Sequence, residues 1–185
     1  MELLKRIIAF VMDTLETVIF IASIFVVIYL FIMSPHQVKG ASMEPTFQSS
    51  DYILTSKISY RTGAPQRGDV IVFKSPKNPD IDYIKRIIAA PGDKILIKDF
   101  EVYVNGTLLE EQYIASKTSL FPGGFVQEGV EVVVPENYLF AMGDNRPRSS
   151  DSREFGFIPM KDVIGKVFFR YFPLNKIGQV KNPSF

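Results

Sequence analysis

Glu101-Val102-Tyr103-Val104-Asn105-Gly106-Thr107-Leu108-Leu109 decides how most of this chain folds. An Asn-Gly pair between two short apolar runs is the strongest local signal for a two-residue β-hairpin, because both turn positions need positive φ. Outward from the hairpin, short runs rich in Val, Ile, Phe and Tyr recur between Gly, Pro, Asn and Asp. They predict further strands near 51–56, 69–74, 82–89, 94–98, 131–134, 138–142 and 163–171. Beyond residue 40 no stretch carries a 3.6-residue apolar period. The reading is an all-β domain of about 145 residues, large enough for its own core. Residues 111–130, with Phe121-Pro122-Gly123-Gly124, read as a long surface loop or small flap.

On the N-terminal side the pattern is different. Thr17 to Met33 reads TVIFIASIFVVIYLFIM, 17 residues without a charge. As a helix it covers roughly 25 Å, near the hydrocarbon thickness of a bilayer. Ile7 to Met12 extends the apolar run, interrupted by Asp13 and Glu16, which lie three apart and near one face, at the headgroup level or toward a partner. No Ala-x-Ala site follows, so the run reads as an uncleaved anchor, not a removed signal peptide. Lys5, Arg6 and the amino terminus flank it on one side and Ser34-Pro35-His36-Gln37 on the other. The positive-inside bias places the amino terminus in the cytoplasm and the β domain outside, in a single-pass arrangement. The expected division is 1–36 for the cytoplasmic end and anchor and 37–185 for the β domain, with 93–130 a small hairpin or loop insert.

Composition removes several chemistries. A net charge of +1 without a basic block argues against nucleic acid. There is no cysteine, hence no disulfide framework, thiolate metal site or thiol nucleophile. The one histidine, His36, lies six residues before Ser42 on the same segment. A base for a serine nucleophile normally comes from elsewhere in the fold, so a Ser-His-Asp mechanism is set aside. One histidine without cysteine also leaves little to hold a transition metal.

Three stretches carry candidate chemistry. In Val38-Lys39-Gly40-Ala41-Ser42-Met43-Glu44-Pro45-Thr46, small residues and a proline bracket Ser42. That suits a nucleophile held on a rigid turn, and equally an ordinary hydrogen-bonded turn. In Asp82-Tyr83-Ile84-Lys85-Arg86-Ile87-Ile88, strand alternation puts Lys85 and Arg86 on opposite, otherwise apolar faces. Burial lowers a lysine pKa, and a neutral lysine can take a serine proton. Arginine stays charged, so of the two only Lys85 can serve as base. The plain alternative is a strand-edge lysine whose amine reaches water. Gly143-Asp144-Asn145-Arg146-Pro147-Arg148-Ser149-Ser150-Asp151-Ser152-Arg153 follows a strand and is nearly all polar. It reads as a solvated turn, or as a supporting shell in which Asp151 pairs with Arg153 and a serine hydroxyl directs the amine.

The order of anchor, Gly-Ala-Ser42-Met-Glu-Pro-Thr, Gly68-Asp69-Val70-Ile71-Val72-Phe73, Tyr83-Ile84-Lys85-Arg86-Ile87-Ile88 and Gly143-Asp-Asn-Arg-x-x-Ser-x-Asp-Ser-Arg153 resembles the bacterial type I signal peptidases over nearly the whole chain. The resemblance implies a membrane-bound serine endopeptidase that removes signal peptides from exported preproteins with a Ser-Lys pair and no cofactor. It implies Ser42 as nucleophile, Lys85 as general base, Ser149 as the hydroxyl orienting that base, and Asp151 with Arg153 as a supporting ion pair. It implies coiled, partly barrel-like antiparallel sheets of the kind shared with self-cleaving repressors. Part of the family carries a serine two residues before the nucleophile, whereas this chain has Gly40. The oxyanion hole is then expected to use backbone N–H groups, those of Ser42 and Gly40. Such a donor is typically worth about 3 kcal/mol.

The expected partners are signal peptides and membrane lipid. Signal peptides end in small residues, which suits shallow apolar pockets, with Val38, Met43, Tyr83 and Ile84 as candidate walls. The substrate is expected to lie extended beside Asp82 to Ile84 by edge pairing. Phe47 is expected to be exposed and to touch lipid. Two other readings stand beside this one: a Ser-Lys peptidase dedicated to one partner, and a non-catalytic anchored β module.

Overall fold

The computed structural model of the protein describes residues 1–183. It opens with α1 (Glu2–Val27), which continues as a π-helical turn over Ile28–Ile32. None of its residues is buried against the rest of the molecule. Together they make a 31-residue helical segment long and apolar enough to cross a membrane. Its few hydroxyls do not disturb this. Thr14, Thr17 and Ser23 donate to the carbonyls of Phe10, Asp13 and Ile19, at 2.7–2.8 Å, so each is satisfied within the helix.

The rest is built of strands: β1 (Met33–Gln37), β2 (Tyr52–Ser56), β3 (Val70–Lys74), β4 (Asp82–Ala89), β5 (Lys94–Lys98), β6 (Glu101–Val104), β7 (Thr107–Leu108), β8 (Val132–Val133), β9 (Tyr138–Met142), β10 (Ile158–Pro159), β11 (Val163–Phe172) and β12 (Gly178–Gln179). They form two antiparallel sheets. The larger has the order β1-β2-β11-β3-β4-β9-β10, with β12 pairing β11, and the smaller has β7-β6-β5-β8. The mostly antiparallel β architecture with an N-terminal apolar helix is the one expected from the sequence. The hairpin turn is formed as its residues require, with φ of 53° at Asn105 and 80° at Gly106.

Strands β4, β5, β6 and β9 fall on the expected bounds. Three short strands, β1, β10 and β12, were not expected. β1 is polar and contains Pro35 and His36, and proline is tolerated there because β1 is an edge strand. It carries the sheet back to Met33, across the expected boundary at 36. Single-turn helices α2 (Ser59–Thr62) and α3 (Ser152–Phe155) are too short to show a helical period in sequence. The 93–130 segment supplies three strands of the smaller sheet.

The core lies on both faces of the larger sheet. Val70 and Val72 of β3 pack with Val38, Met43, Phe47, Ile53 and Val167. Ile71 and Phe73 of the same strand pack with Ile87, Leu139, Ala141 and Ile158. Two buried faces explain why Val70-Ile71-Val72-Phe73 is continuously apolar. A third cluster joins Ile88, Phe140 and Met142 to Ile95, Ile97, Val102 and Val104 beneath the smaller sheet. Phe47 corrects an expectation. It is 1% exposed, deep in the cluster under β3, with the Arg170 guanidinium 5.3 Å from its ring centroid. An apolar residue close to a polar turn reads as exposed in sequence, but the turn folds back over the core.

Candidate active site

β1 leads directly into the loop that carries Ser42. Two apolar side chains of that loop, Met43 and Phe47, are plugged into the core, which fixes the loop from below. The Phe47 N–H closes the turn on the Met43 carbonyl at 2.8 Å. From the other side the loop hangs on Asn145. Its backbone N–H donates to the Ser42 carbonyl and its side-chain amide to the Ala41 carbonyl, each at 3.0 Å. Gly40 sits at φ 88°, a conformation that favours glycine, with open space where a side chain would be. Among the described residues neither the Gly40 nor the Ser42 N–H donates to an acceptor.

Lys85 comes from β4, 43 residues along the chain from Ser42. Its Nζ lies 2.9 Å from Ser42 Oγ and donates to the Ile84 carbonyl at 2.9 Å. The Tyr83 ring centroid is 5.1 Å from the nitrogen. Only 4% of the residue is exposed. Burial is the main influence on the amine, and it lowers its pKa from 10.5 to about 8. Asp151 and Asp144 act in the opposite direction, and Arg153 adds to the lowering. The strand-edge alternative, with the amine in water, is therefore not what the structure contains.

The Gly143–Arg153 loop surrounds this pair. Asp151 and Arg153 are both fully buried and joined by two parallel bonds of 2.8 Å. Asp151 also accepts from the Gly143 N–H at 3.0 Å and caps α3 through the Arg153 N–H. Arg153 donates on to the carbonyls of Ser119 and Arg146. Gly143 has no room for a side chain, because a Cβ there would collide with the Ser42 carbonyl and with Ser149. Ser149 stands beside the site without a hydrogen bond to Lys85. Its hydroxyl is buried and has no partner among the described residues, the second bond of Nζ being taken by Ile84.

A second buried pair completes the support. Arg86 donates to Asp144 through Nε at 2.9 Å and Nη2 at 2.6 Å, and Thr46 donates to the same carboxylate at 2.5 Å. Arg146 donates to Glu111 and Thr118 of the 111–130 loop and, through Nε, to the Gly143 carbonyl at 3.1 Å. Sequence reasoning left Asp144, Asn145, Thr46, Arg146 and Glu111 unassigned. The signal for Asp144 was present: an arginine on an apolar strand needs a nearby carboxylate. Nothing marked Glu111.

A cavity of about 850 Å³ opens at Ser42 and Lys85. Of the expected substrate residues, Val38, Asp82, Tyr83 and Ile84 line it, as does Gly40. Met43 does not; it is fully buried beneath the loop. His36 is on the wall as well, but its ring faces Thr55 at 3.1 Å and Asp82 at 3.9 Å. Burial is the largest influence on it and lowers its pKa, Asp82 opposing. The strand edge is open here. Ile87 exchanges backbone bonds with Gly68 and Asp69 on the β3 side. Alternation directs the main chain of Ile84 and Asp82 to the opposite side, where β9 pairs only from Arg86 onward. Among the described residues no group of three or more His, Asp or Glu side chains is placed to hold a metal ion.

The signal peptidase, peptidase S26 family model matches residues 11–172. Signal peptidase IB of Staphylococcus aureus (strain Mu50) is 35% identical over 186 residues, covering 93% of this chain and 96% of that protein. Signal peptidase I of Bacillus caldolyticus is 40% identical over 156 residues, covering 80% of this chain and 85% of that protein. A crystal structure of a signal peptidase I from Enterococcus faecalis V583 shares 38% identity, covers 56% of this chain and 97% of that one, and superposes with a TM-score of 0.47.

Proposed function

Given that the chain belongs to the peptidase S26 family of signal peptidases, serine peptidases that remove signal peptides from preproteins, we propose that Ser42 is its nucleophile and Lys85 its general base. The observation that carries this is the 2.9 Å approach of a buried amine, its pKa lowered to about 8, to the Ser42 hydroxyl. A neutral amine at that distance accepts the hydroxyl proton as the oxygen attacks the carbonyl before the cleavage site. The resulting ammonium returns the proton to the leaving amine. Water, deprotonated by the same lysine, then releases the acyl group from Ser42. This acyl transfer is complete without metal, cofactor or nucleic acid.

The N–H groups of Ser42 and Gly40 are the donors for the oxyanion. A free backbone N–H on a fixed loop is already oriented when charge develops, the condition under which such donors act most strongly. The Ser149 hydroxyl is the group available to orient the amine, since bonding it relieves a buried polar atom whose isolation costs about 1–3 kcal/mol. Asp151 with Arg153 hold Gly143 and thereby the wall behind both. The preprotein segment adds as an extended strand to the open main chain of Asp82 and Ile84. Val38, Tyr83 and Ile84 form the walls that admit small side chains.

The N-terminal apolar helix fits a membrane anchor. We assign its amino terminus to the cytoplasm and the catalytic domain, 37–185, to the outer side in a single-pass arrangement, on the strength of Lys5 and Arg6. The helix surface, exposed along its whole length, is the lipid contact.

The test is cleavage of a purified preprotein. Ser42→Ala and Lys85→Ala should each abolish processing while the melting transition is retained, and the wild-type rate should rise with pH through about 8 as the lysine loses its proton. Processing by Lys85→Ala at the wild-type rate would remove Lys85 from the reaction.

A further inference from the structure

The helix that carries the β domain is joined to it by few contacts. No residue of α1 or of its π-helical end is buried, so packing does not set the angle between helix and sheet. The chain passes from one to the other at Met33, in extended conformation with φ −148° and ψ 155°. A helix leaves its last four carbonyls without partners inside the helix. Here these belong to Tyr29, Leu30, Phe31 and Ile32, the Met33 N–H having returned to Ile28.

Lys57, one residue beyond the end of β2, takes three of the four. Its backbone N–H donates to the Ile32 carbonyl at 2.9 Å. Its Nζ donates to the carbonyls of Tyr29 at 3.0 Å and Leu30 at 3.3 Å. The same ammonium sits 5.4 Å from the Tyr29 ring centroid. Among the described residues every hydrogen bond between the helix and the β domain, apart from the Met33 N–H to Ile28 carbonyl bond at the junction itself, runs through Lys57. The charge is of the right sign, because a cation is favoured at the negative end of a helix dipole.

We propose that Lys57 is a positioning residue, a clamp that fixes the angle between the membrane helix and the β domain and so holds Ser42 at a set height and orientation above the bilayer. The proposal rests on the anchor and Ser42 readings above. The mechanical path is short. β1 pairs with β2 from Met33↔Ser56 to Gln37↔Tyr52, and the Ser42 loop follows β1 immediately. Any rotation at Met33 therefore moves the reactive serine relative to the lipid surface. A dissolved peptide can approach the cleft whatever the tilt of the domain. A preprotein whose apolar segment lies in the same bilayer presents its cleavage site at one height, and loss of alignment removes the advantage of proximity.

The experiment uses the full chain in phospholipid vesicles with two substrates: a preprotein inserted in the same vesicles and a short soluble peptide of the same cleavage sequence. Lys57→Met keeps the length and apolar stem but deletes the charge and the two side-chain bonds. It should lower cleavage of the inserted preprotein by about tenfold or more and leave cleavage of the soluble peptide unchanged. Lys57→Arg, which keeps the donors, should restore most of the loss. A physical readout accompanies this. The chain has no cysteine, so a fluorophore at Lys161→Cys, an exposed site, reports its distance to labelled lipid. That distance should be broadened or shifted by Lys57→Met. Equal loss on both substrates, no loss on the inserted one, or an unchanged distance distribution each overturns the clamp. If Ser42→Ala still cleaves the inserted preprotein at the wild-type rate, the Ser42–Lys85 reading fails instead, and the distance measurement alone decides the clamp.

Discussion

Lys85 and Arg86 are neighbours on β4, point to opposite faces of the sheet and are equally withdrawn from water, at 4% and 1% exposure. Their surroundings differ completely. Arg86 meets Asp144 through two bonds, donates to the Gly68 carbonyl at 2.9 Å and lies 4.3 Å from the Tyr113 ring centroid. Lys85 meets a hydroxyl and a carbonyl, and its nearest anionic influences act from a distance. Burying a cation demands either a counter-charge or loss of the proton. One face of the strand uses the first solution and becomes scaffold. The other leans toward the second, its pKa lowered to about 8, and is the face we propose as the base. In that proposal reactivity is the consequence of withholding a partner.

The largest effect that sharpens this contrast comes from Lys85→Arg. It keeps a positive charge of similar length but cannot give up its proton near neutral pH. Cleavage should fall by about a millionfold, the scale seen when a serine peptidase loses nucleophile or base, measured as preprotein turnover. Retention of turnover within about a hundredfold would mean that Lys85 contributes charge and not basicity. The mirror change is Arg86→Met. It leaves Asp144 buried without its partner and should cost about 3–5 kcal/mol of stability, read from urea or thermal unfolding. An unchanged unfolding midpoint would show that Asp144 is satisfied without Arg86.

Sequence alone made much of this visible, and the reasons are local. The strands β4, β5, β6 and β9 are short, bounded by turn residues and rich in β-formers, so their limits could be read directly. Lys85 stood out because a basic residue on an apolar strand is costly and therefore conspicuous. Ser42 gained meaning only through its company along the chain. What stayed hidden depends on distant pairing. β1 looks polar and is a strand because β2 lies beside it. Phe47 and Met43 flank Ser42 in the sequence, yet tertiary folding turns them into the core. Asn145 carries no sign that it holds the carbonyls of residues 41 and 42. Ser149, implied to touch the amine, lies close by without a bond to it.

The same contrast has a thermodynamic side. The amine of Lys85 has its pKa lowered from 10.5 to about 8 in the folded chain. In the unfolded chain it keeps the ordinary value, so between these two pH values the unfolded state holds more protons and stability rises with pH. Below about 8 the full penalty of the buried ammonium is present, at about 3 kcal/mol for a shift of this size. Lys85→Met should therefore stabilise the fold by roughly 2–3 kcal/mol at pH 7, with the gain shrinking as pH rises toward 10. A variant less stable than wild type at pH 7 would mean that the ammonium is paired in the folded state, contrary to the comparison with Arg86.

The smallest effect concerns Ser149, and it separates support for the base from support for the fold. Its hydroxyl is buried and makes no hydrogen bond among the described residues, so Ser149→Ala removes no bond that holds the native structure. Stability should stay level or rise slightly, because an isolated buried hydroxyl is itself a cost. Orientation of the amine is another matter. In the proposed reaction the proton moves to Lys85, so Nζ must turn toward Ser42 and then toward the leaving group, and a neighbouring hydroxyl limits the directions open to it. Loss of a group that orients a reactive one typically costs about tenfold to a hundredfold. The expected result is a fall of that size in kcat with KM little changed and the melting temperature preserved. An unaltered kcat would confine Ser149 to filling the space beside Gly143, whereas equal losses in kcat and stability would place it in the scaffold with Arg86.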